Sequence, residues 1–206
     1  MKKNKILSVF LLALIIILPS NSYAANKTRV VGLDENVESY IIGNEKSGEI
    51  YYEKNADNSY PMASLSKMMT YLLTKEAIDE GKISLDTKVE ISEGAAKFNS
   101  WEYSALGVNE GDVFTVEELL EGLIVVSGND CAYQLALTVD DSEAKFARNM
   151  NMKASKLGLD SQVYYNASGV ETDQGQENSS SAKDLFKLTQ YIICLLYTSP
   201  SPRDRG

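Results

Sequence analysis

A serine and a lysine three residues apart, Ser64 and Lys67, are the residues of this chain best suited to nucleophilic chemistry. A serine hydroxyl is a weak nucleophile at neutral pH and needs a base beside it. The 206 residues include no histidine, which excludes a Ser-His-Asp arrangement and leaves Lys, Asp, Glu, Tyr or Cys as the base. Because side chains at positions i and i+3 of a helix share one face, the Lys67 amine can take the Ser64 proton.

The Ser-x-x-Lys spacing alone is weak evidence, because the chain contains it three times. The other two copies are Ser142/Lys145 and Ser180/Lys183. There the pattern is typical of a serine that caps a helix and a lysine exposed to solvent. Ser64 differs because it follows a loop stiffened by Pro61 and begins a strongly apolar helix. We therefore expect Lys67 to be partly desolvated near the positive end of a helix dipole, and both effects lower its pKa toward that of a general base.

A second polar motif, Ser127-Gly128-Asn129, is the single Ser-x-Asn of the chain. One interpretation is an ordinary turn between two helices, since all three residue types form turns readily. The other starts from the apolar run at residues 122–126, which predicts that the turn is buried. Buried polar groups need hydrogen-bond partners, and a cleft that the Ser127 hydroxyl and the Asn129 amide face would supply them.

The two motifs, in this order, resemble those of the penicillin-recognising serine enzymes. The flanking segments narrow the resemblance to the exported D-alanyl-D-alanine carboxypeptidases, the low-molecular-mass penicillin-binding proteins. The resemblance covers about residues 36–193. The segments that carry it are residues 53–57, 61–70, 114–120, 126–130, 166–170 and 180–185.

The resemblance implies an α+β fold of the β-lactamase/transpeptidase type, a helical cluster packed on an antiparallel sheet, here incomplete because later strands are missing. It implies that Ser64 attacks the terminal D-Ala-D-Ala bond of a peptidoglycan stem peptide and that Lys67 takes its proton. Ser127 relays a proton to the departing D-alanine, and Asn129 binds the acyl side of the substrate. The Ser64 backbone N–H would form half of an oxyanion hole. β-Lactams would acylate Ser64, and neither a metal nor a cofactor is implied.

The chain departs from the family pattern at two points. The Lys-Thr-Gly strand, which holds the substrate carboxylate, is absent and is expected beyond Ile193, so we predict an inactive fragment of an active enzyme. A carboxy-terminal β-domain and a membrane-binding helix, present in many relatives, are missing too, and any membrane contact would need such a segment. The second departure is Cys131, where relatives often carry alanine.

Three other functions use the same motifs and stay open. A β-lactamase would need a glutamate that activates water, and neither Glu171 nor Glu177 lies in the expected local pattern. A D,D-endopeptidase would share the whole machinery. A non-catalytic β-lactam-sensing or wall-binding module would keep the pocket, although retention of all four polar residues argues against lost catalysis.

Both ends of the chain read as segments outside the mature domain. Three lysines precede an apolar run at residues 6–18, and Ser22 and Ala24 supply the small residues that a signal peptidase reads. The run is short for a bilayer span, which needs about 20 residues, so we favour cleavage after Ala24 over an uncleaved anchor. Residues 1–24 are thus predicted to be a signal peptide that directs export to the cell-wall side of the membrane.

The last residues resemble a translated sequencing adapter. Residues 194–204 can be back-translated into a string like the transposase adapter ligated in short-read library preparation, which we favour over a natural Ser/Pro-rich linker. We therefore predict that residues 194–206 are foreign. Residues 25–193 would then be the amino-terminal part of a D,D-peptidase catalytic domain.

Charge and cysteine content exclude several function classes. The net charge of −9 makes nucleic acid a poor partner, because phosphate contacts need clustered Lys and Arg. With Cys194 assigned to the foreign tail, Cys131 stands alone, so no intramolecular disulfide is expected. Its apolar neighbours predict a buried, inert thiol. A chain with no histidine and one natural cysteine is also a poor zinc protein.

Hydrophobic periodicity supplies the elements that must hold these residues. The predicted strands lie at residues 39–42, 49–54, 87–91 and 163–165, the first two as a hairpin. The predicted helices lie at residues 64–81, 115–126, 131–139 and 142–158 and from Ser180 or Ser181 onward. Residues 55–60 and 166–178 read as polar loops. Thr115 and Glu118 form a capping box at the start of their helix.

Overall fold

The computed structural model describes residues 32–198. The predicted signal peptide lies outside this range, as do the last eight residues of the segment predicted to be foreign. Among the described helices, none combines the length and the apolar character needed to cross a membrane.

Seven α-helices and six short strands make up the described part of the chain. The helices are α1 (Leu33–Asn36), α2 (Lys67–Asp79), α3 (Glu93–Ala96), α4 (Val116–Val125), α5 (Asn129–Asp140), α6 (Glu143–Lys156) and α7 (Ala182–Thr198). The strands are β1 (Tyr40–Gly43), β2 (Ile50–Lys54), β3 (Ser59–Pro61), β4 (Lys88–Glu90), β5 (Val113–Thr115) and β6 (Ser179–Ser181). A 3₁₀ turn, Ala63–Ser66, joins β3 to α2.

Helix α5 forms the centre of the core. Its residues Cys131, Ala132, Leu135 and Ala136 are fully buried, and it packs against α2, α3, α4 and α6. The small side chains let the helices approach closely: a Cβ built on Gly122 of α4 would lie 2.5 Å from the Cys131 sulfur. The prediction that Cys131 is buried is therefore confirmed.

Three helix-start signals of the sequence are confirmed, whereas the helix predicted over residues 64–81 spans Lys67–Asp79, because residues 63–66 form the 3₁₀ turn. The Thr115 hydroxyl accepts from the Glu118 backbone N–H while the Glu118 carboxylate accepts from Thr115, so the predicted capping box is present. Ser142 caps α6 through its hydroxyl. Ser181 accepts from the Asp184 N–H at 3.2 Å and so caps α7, one of the two predicted alternatives.

The strands occur as three antiparallel pairs: β1 with β2, β4 with β5, and β3 with β6. The first is the predicted hairpin, with a bulge between Ile42 and Gly43. The third was not predicted, because β3 lies partly in the expected loop at residues 55–60 and pairs Pro61 with Ser179 far along the chain. Its residues lack the alternation of apolar and polar side chains that marks a half-buried strand.

Two further predictions need correction. The strand expected at residues 163–165 is reduced to a single bridge between Val163 and Ser179. Ser180 does not cap a helix: it lies in β6, and its hydroxyl donates to the Ser181 carbonyl oxygen at 3.1 Å. Both differences arise because β6 pairs with β3, so tertiary pairing decides the conformation of a polar segment that has little local preference.

Candidate active site

The turn that carries Ser64 is tightly held and locally strained. Strand β3 leads into it, and the Met62 backbone N–H donates to the Asn178 carbonyl oxygen at 2.9 Å. Ala63 has a φ of 44°, in the left-handed region that non-glycine residues rarely adopt. Such strain persists only where the surrounding structure enforces it. Ser64 itself is exposed, which leaves its hydroxyl open to a substrate.

Lys67, the first residue of α2, is buried and engages all three of its ammonium protons. Its Nζ donates to the Ser64 hydroxyl at 3.0 Å, to Asn129 Oδ1 at 2.7 Å and to the Ser168 carbonyl oxygen at 2.9 Å. The residue is only 5% exposed. The 3₁₀ turn and the first turn of α2 thus bring the predicted serine and lysine together, and α5 adds the predicted asparagine.

Burial lowers the pKa of Lys67 from 10.5 to about 8. The main cause is desolvation, which disfavours the charged amine. The Asp130 carboxylate acts in the opposite direction and keeps the pKa from falling further. The predicted lowering of the Lys67 pKa by desolvation is therefore confirmed, whereas the contribution of the helix dipole stays a prediction.

The partners of Lys67 decide which proton it loses. Asn129 Oδ1 and the Ser168 carbonyl oxygen can only accept hydrogen bonds, whereas the Ser64 hydroxyl can accept or donate. A neutral amine keeps its two N–H bonds toward the two pure acceptors. Its lone pair then points at Ser64, whose O–H can donate to it. The arrangement therefore suits transfer of a proton from Ser64 to Lys67.

Asp130, next to Asn129 on α5, is a buried carboxylate that fixes the adjoining loop. Its oxygens accept from four backbone N–H groups, those of Leu106, Gly107, Val108 and Cys131. The Asn129 backbone N–H donates to the Ser104 carbonyl oxygen at 2.8 Å, so the same loop is held twice. Beside Asp130, burial raises the pKa of the Cys131 thiol, which is thus the inert group that the sequence predicts.

Ser127 faces the same cavity as the pair but is not bonded to it. The cavity has a volume of about 690 Å³, and Ser64, Lys67 and Ser127 supply polar groups to a mainly apolar lining. Ser127 has a φ of 57°, and no hydrogen bond joins its hydroxyl to Ser64 or Lys67. The structure therefore groups all four predicted site residues and directly bonds three of them.

The turn between α4 and α5 is only partly buried as predicted. Gly128 and Asn129 are buried, but Ile124, Val125 and Val126 are 63%, 80% and 43% exposed. The apolar run at residues 122–126 was expected to be covered. Instead only Gly122 and Leu123 are buried, and of the three exposed residues Ile124 alone lines the cavity.

The site also uses groups that the sequence did not reveal. The Ser168 carbonyl oxygen is a backbone atom, so no residue type marks it as an acceptor for Lys67. The nearest signal was the family-like segment at residues 166–170, read as a polar loop. Glu171 and Glu177, considered above as possible water-activating groups, are exposed and are not bonded to Ser64 or Lys67. No described residues form a cluster of His, Cys, Asp and Glu suited to a metal ion.

Comparison with known proteins agrees with these observations. The sequence model of the D-alanyl-D-alanine carboxypeptidase family matches residues 25–201. The D-alanyl-D-alanine carboxypeptidase DacF of Bacillus subtilis is 33% identical over 191 residues, covering 89% of this chain and 48% of that protein. DacC of Escherichia coli is 30% identical and covers 88% of this chain and 45% of that protein. The chain thus spans about half the length of these curated relatives.

Solved structures show the same fold. Penicillin-binding protein 5 of Haemophilus influenzae matches 78% of this chain and 46% of its own, with a TM-score of 0.73 and 30% identity. A penicillin-binding protein of Listeria monocytogenes, crystallised in an ampicillin-bound form, matches 80% of this chain and 66% of its own, with a TM-score of 0.67 and 32% identity. The predicted α+β class of the β-lactamase/transpeptidase type is confirmed.

Proposed function

This chain belongs to the D-alanyl-D-alanine carboxypeptidase family, the low-molecular-mass penicillin-binding proteins, and we propose that it forms part of a serine-type enzyme acting on peptidoglycan. The enzyme removes the terminal D-alanine from stem peptides that end in D-Ala-D-Ala. The observation that carries the proposal is the hydrogen bonding of Lys67. Among its three described partners, only the Ser64 hydroxyl can donate a proton as well as accept a hydrogen bond.

In the proposed reaction, neutral Lys67 takes the proton of Ser64 as its oxygen attacks the carbonyl carbon of the D-Ala-D-Ala bond. The bond to the terminal D-alanine breaks, Ser127 relays a proton to the leaving amine, and an acyl-enzyme remains. Water then hydrolyses the ester and frees Ser64. The Asn129 amide nitrogen has no hydrogen-bond partner among residues 32–196, so it is available to bind the acyl side of the substrate.

We extend the proposal to the organisation of the chain. Residues 1–24 direct export and are removed, residues 25–193 belong to the catalytic domain, and residues 194–206 are foreign. The 206-residue chain is inactive by itself because it lacks the Lys-Thr-Gly strand expected to hold the substrate carboxylate. The complete protein acts on the outer side of the cytoplasmic membrane.

β-Lactams are the proposed inhibitors. The ampicillin-bound structure of a Listeria relative supports this, since its fold matches most of the present chain. By analogy, the lactam carbonyl would meet Ser64 and form an ester. Among the described residues, no glutamate is hydrogen-bonded to Ser64 or Lys67, which supports an inhibited acyl-enzyme over a β-lactamase.

The experiment that tests the proposal uses the complete protein, expressed from the full gene. Purified enzyme should release D-alanine from a pentapeptide stem and should be labelled by a fluorescent penicillin. Ser64→Ala should abolish both. Ser142→Ala is the matched control, because Ser142 lies in a second Ser-x-x-Lys copy, and it should leave both unchanged. Labelling without D-alanine release would contradict the carboxypeptidase and favour a sensor, and labelling of Ser64→Ala would contradict the assigned nucleophile.

The pH dependence of acylation tests the base. Only the neutral form of Lys67 can accept the Ser64 proton, so the rate of penicillin labelling should rise with pH and level off above a pKa of about 8. Stopped-flow or gel-based labelling between pH 6 and pH 10 measures this. A rate independent of pH over that range would contradict Lys67 as the base.

A further inference from the structure

Asn178 joins the nucleophile turn to the segment that bonds Lys67. It is fully buried. Its Nδ2 donates to the Ser66 hydroxyl and to the Asn166 carbonyl oxygen, each at 2.9 Å. Its Oδ1 accepts from the Tyr165 N–H at 2.7 Å and from the Asn166 N–H at 3.4 Å, and its backbone oxygen accepts from Met62. One side chain therefore fixes two stretches of chain to each other.

The second stretch that Asn178 binds starts at Tyr165 and reaches Ser168, whose carbonyl oxygen accepts from Lys67. Asn166 Oδ1 accepts from the backbone N–H groups of Ser168 and Gly169, at 3.2 and 2.7 Å. That tight turn directs the Ser168 carbonyl oxygen at the Lys67 ammonium. Gly169 lies so close to the nucleophile turn that a Cβ there would be 1.9 Å from the Ala63 oxygen. The turn and the acceptor are thus in direct contact, and Asn178 sets their spacing.

We propose that Asn178 is a positioning residue that holds the Ser168 carbonyl oxygen against Lys67 and thereby directs the lone pair of the neutral amine at Ser64. The inference rests on the proposed function, in which Lys67 is the base. With the Ser168 acceptor displaced, water enters beside Lys67, and an N–H of the neutral amine can point at Ser64 in place of the lone pair. Asn178 does not touch substrate in this scheme; it acts through Ser168.

The titration of Lys67 reports this positioning directly. The charged and titratable groups that face Lys67 are Asp130 and Cys131, both on α5, and neither is bonded to Asn178. Desolvation is the main cause of the low pKa of Lys67. Water that enters when the Ser168 segment shifts should therefore raise the Lys67 pKa from about 8 toward its ordinary value of 10.5.

The test uses the complete protein with lysine labelled by ¹³C at Cε, and the Lys67 signal is assigned by its loss in Lys67→Arg. In the wild type the signal should titrate near pH 8. In Asn178→Ala the midpoint should move upward, and penicillin labelling should slow at a fixed pH. Ser66→Ala removes only one of the Asn178 contacts and should move the midpoint in the same direction by less, which keeps the test available if Asn178→Ala does not fold.

Asn151→Ala is the matched control. Asn151 bonds both the carbonyl oxygen and the N–H of Tyr164, and it also donates to Ala147, so it fixes the neighbouring part of the same segment to α6. It should lower the melting temperature as Asn178→Ala does and leave the Lys67 midpoint unchanged. A melting temperature that falls in both variants while Lys67 titrates as in wild type would overturn the positioning role. So would an equal shift in both variants.

The two proposals fail in different ways. If the wild type releases no D-alanine but the Lys67 midpoint responds to Asn178→Ala and not to Asn151→Ala, the carboxypeptidase function is wrong and the positioning of Lys67 stands. If D-alanine is released and the midpoint is unaffected by Asn178→Ala, the function stands and the positioning role is overturned.

Discussion

Ser64–Lys67 and Ser142–Lys145 have the same spacing and both lie where a helix begins, yet only the first is arranged for chemistry. At Ser142 the hydroxyl accepts from the Lys145 backbone N–H at 3.3 Å, and the Lys145 side chain is 49% exposed and paired with carboxylates. At Ser64 the hydroxyl bonds the Lys67 side chain instead, and Lys67 is 5% exposed.

The difference lies in the backbone before the helix. Ser142 is an extended N-cap residue, so its hydroxyl turns back onto the helix. Ser64 lies inside a 3₁₀ turn that begins at a strained Ala63, and its hydroxyl is left for Lys67. Burial then lowers the Lys67 pKa. The spacing is the same in both copies. Only the 3₁₀ turn before the helix and the burial of the Lys67 amine make the first copy suited to proton transfer.

The largest expected effect comes from displacing the 3₁₀ turn that carries Ser64. Gly169→Ala places a Cβ 1.9 Å from the Ala63 oxygen and should displace the Ser64 turn. Since a misplacement of about 1 Å can cost about 100-fold in rate, penicillin labelling of the complete protein should slow by that order. Gly158→Ala is the control: Gly158 also has a positive φ, 65°, but nothing lies within 4 Å of the added atom. It should lower stability by about 1 kcal/mol and leave the labelling rate intact. Equal slowing in both variants would argue against the steric account.

Removing the buried anion beside the first lysine should have the next largest effect. Asp130→Asn loses the charge that raises the pKa of Lys67, so that pKa should fall below about 8. It also weakens hydrogen bonds to four backbone N–H groups, and the free energy of unfolding should drop by about 2 kcal/mol. Asp141→Asn is the control, because Asp141 is 96% exposed beside Lys145 and its left-handed conformation suits asparagine. Chemical denaturation and the ¹³C titration measure both quantities, and an unchanged Lys67 midpoint in Asp130→Asn would contradict the electrostatic role.

Substitution of Ser142, in the second Ser-x-x-Lys copy, should change the stability of the protein but not its rate of acylation. Ser142→Ala removes the acceptor for the Lys145 N–H and should lower the free energy of unfolding by about 1 kcal/mol. The rate of penicillin labelling should not change. A slowed rate in a variant of unchanged stability would show that the two copies differ less than their geometry indicates.

The smallest effect should come from Glu143, which links the second copy to the first site. Its Oε1 accepts from the Ala167 N–H at 3.2 Å, and burial raises the pKa of its carboxyl group. A carboxyl whose pKa is raised by folding contributes stability below its ordinary pKa, and that contribution is lost as pH rises through the folded value. Glu143→Gln keeps the acceptor without the charge, so it should be slightly more stable than wild type at neutral pH. Denaturation at several pH values should show the gap closing in acid; a gap that widens in acid would contradict the sign.

The sequence predicted those features that depend on neighbouring residues and missed those that depend on distant contacts. The capping box at Thr115 and the hairpin β1–β2 follow from neighbouring residues, and both were predicted correctly. The pairing of β3 with β6 has no local signal, since Pro61 meets Ser179 across most of the domain. The Ser168 oxygen was missed because it belongs to the backbone. Exposure of Ile124 to Val126 was missed because an apolar run predicts burial only where other elements cover it.

The bond between Asn178 and Ser66 has a consequence for the order in which the protein is made. The two residues are 112 positions apart, so the contact that fixes the nucleophile turn cannot exist until that whole length has been synthesised. A ribosome adds about 5–20 residues per second, so Asn178 is synthesised on the order of ten seconds after Ser66. During that interval the turn that carries Ser64 lacks its contact with Asn178.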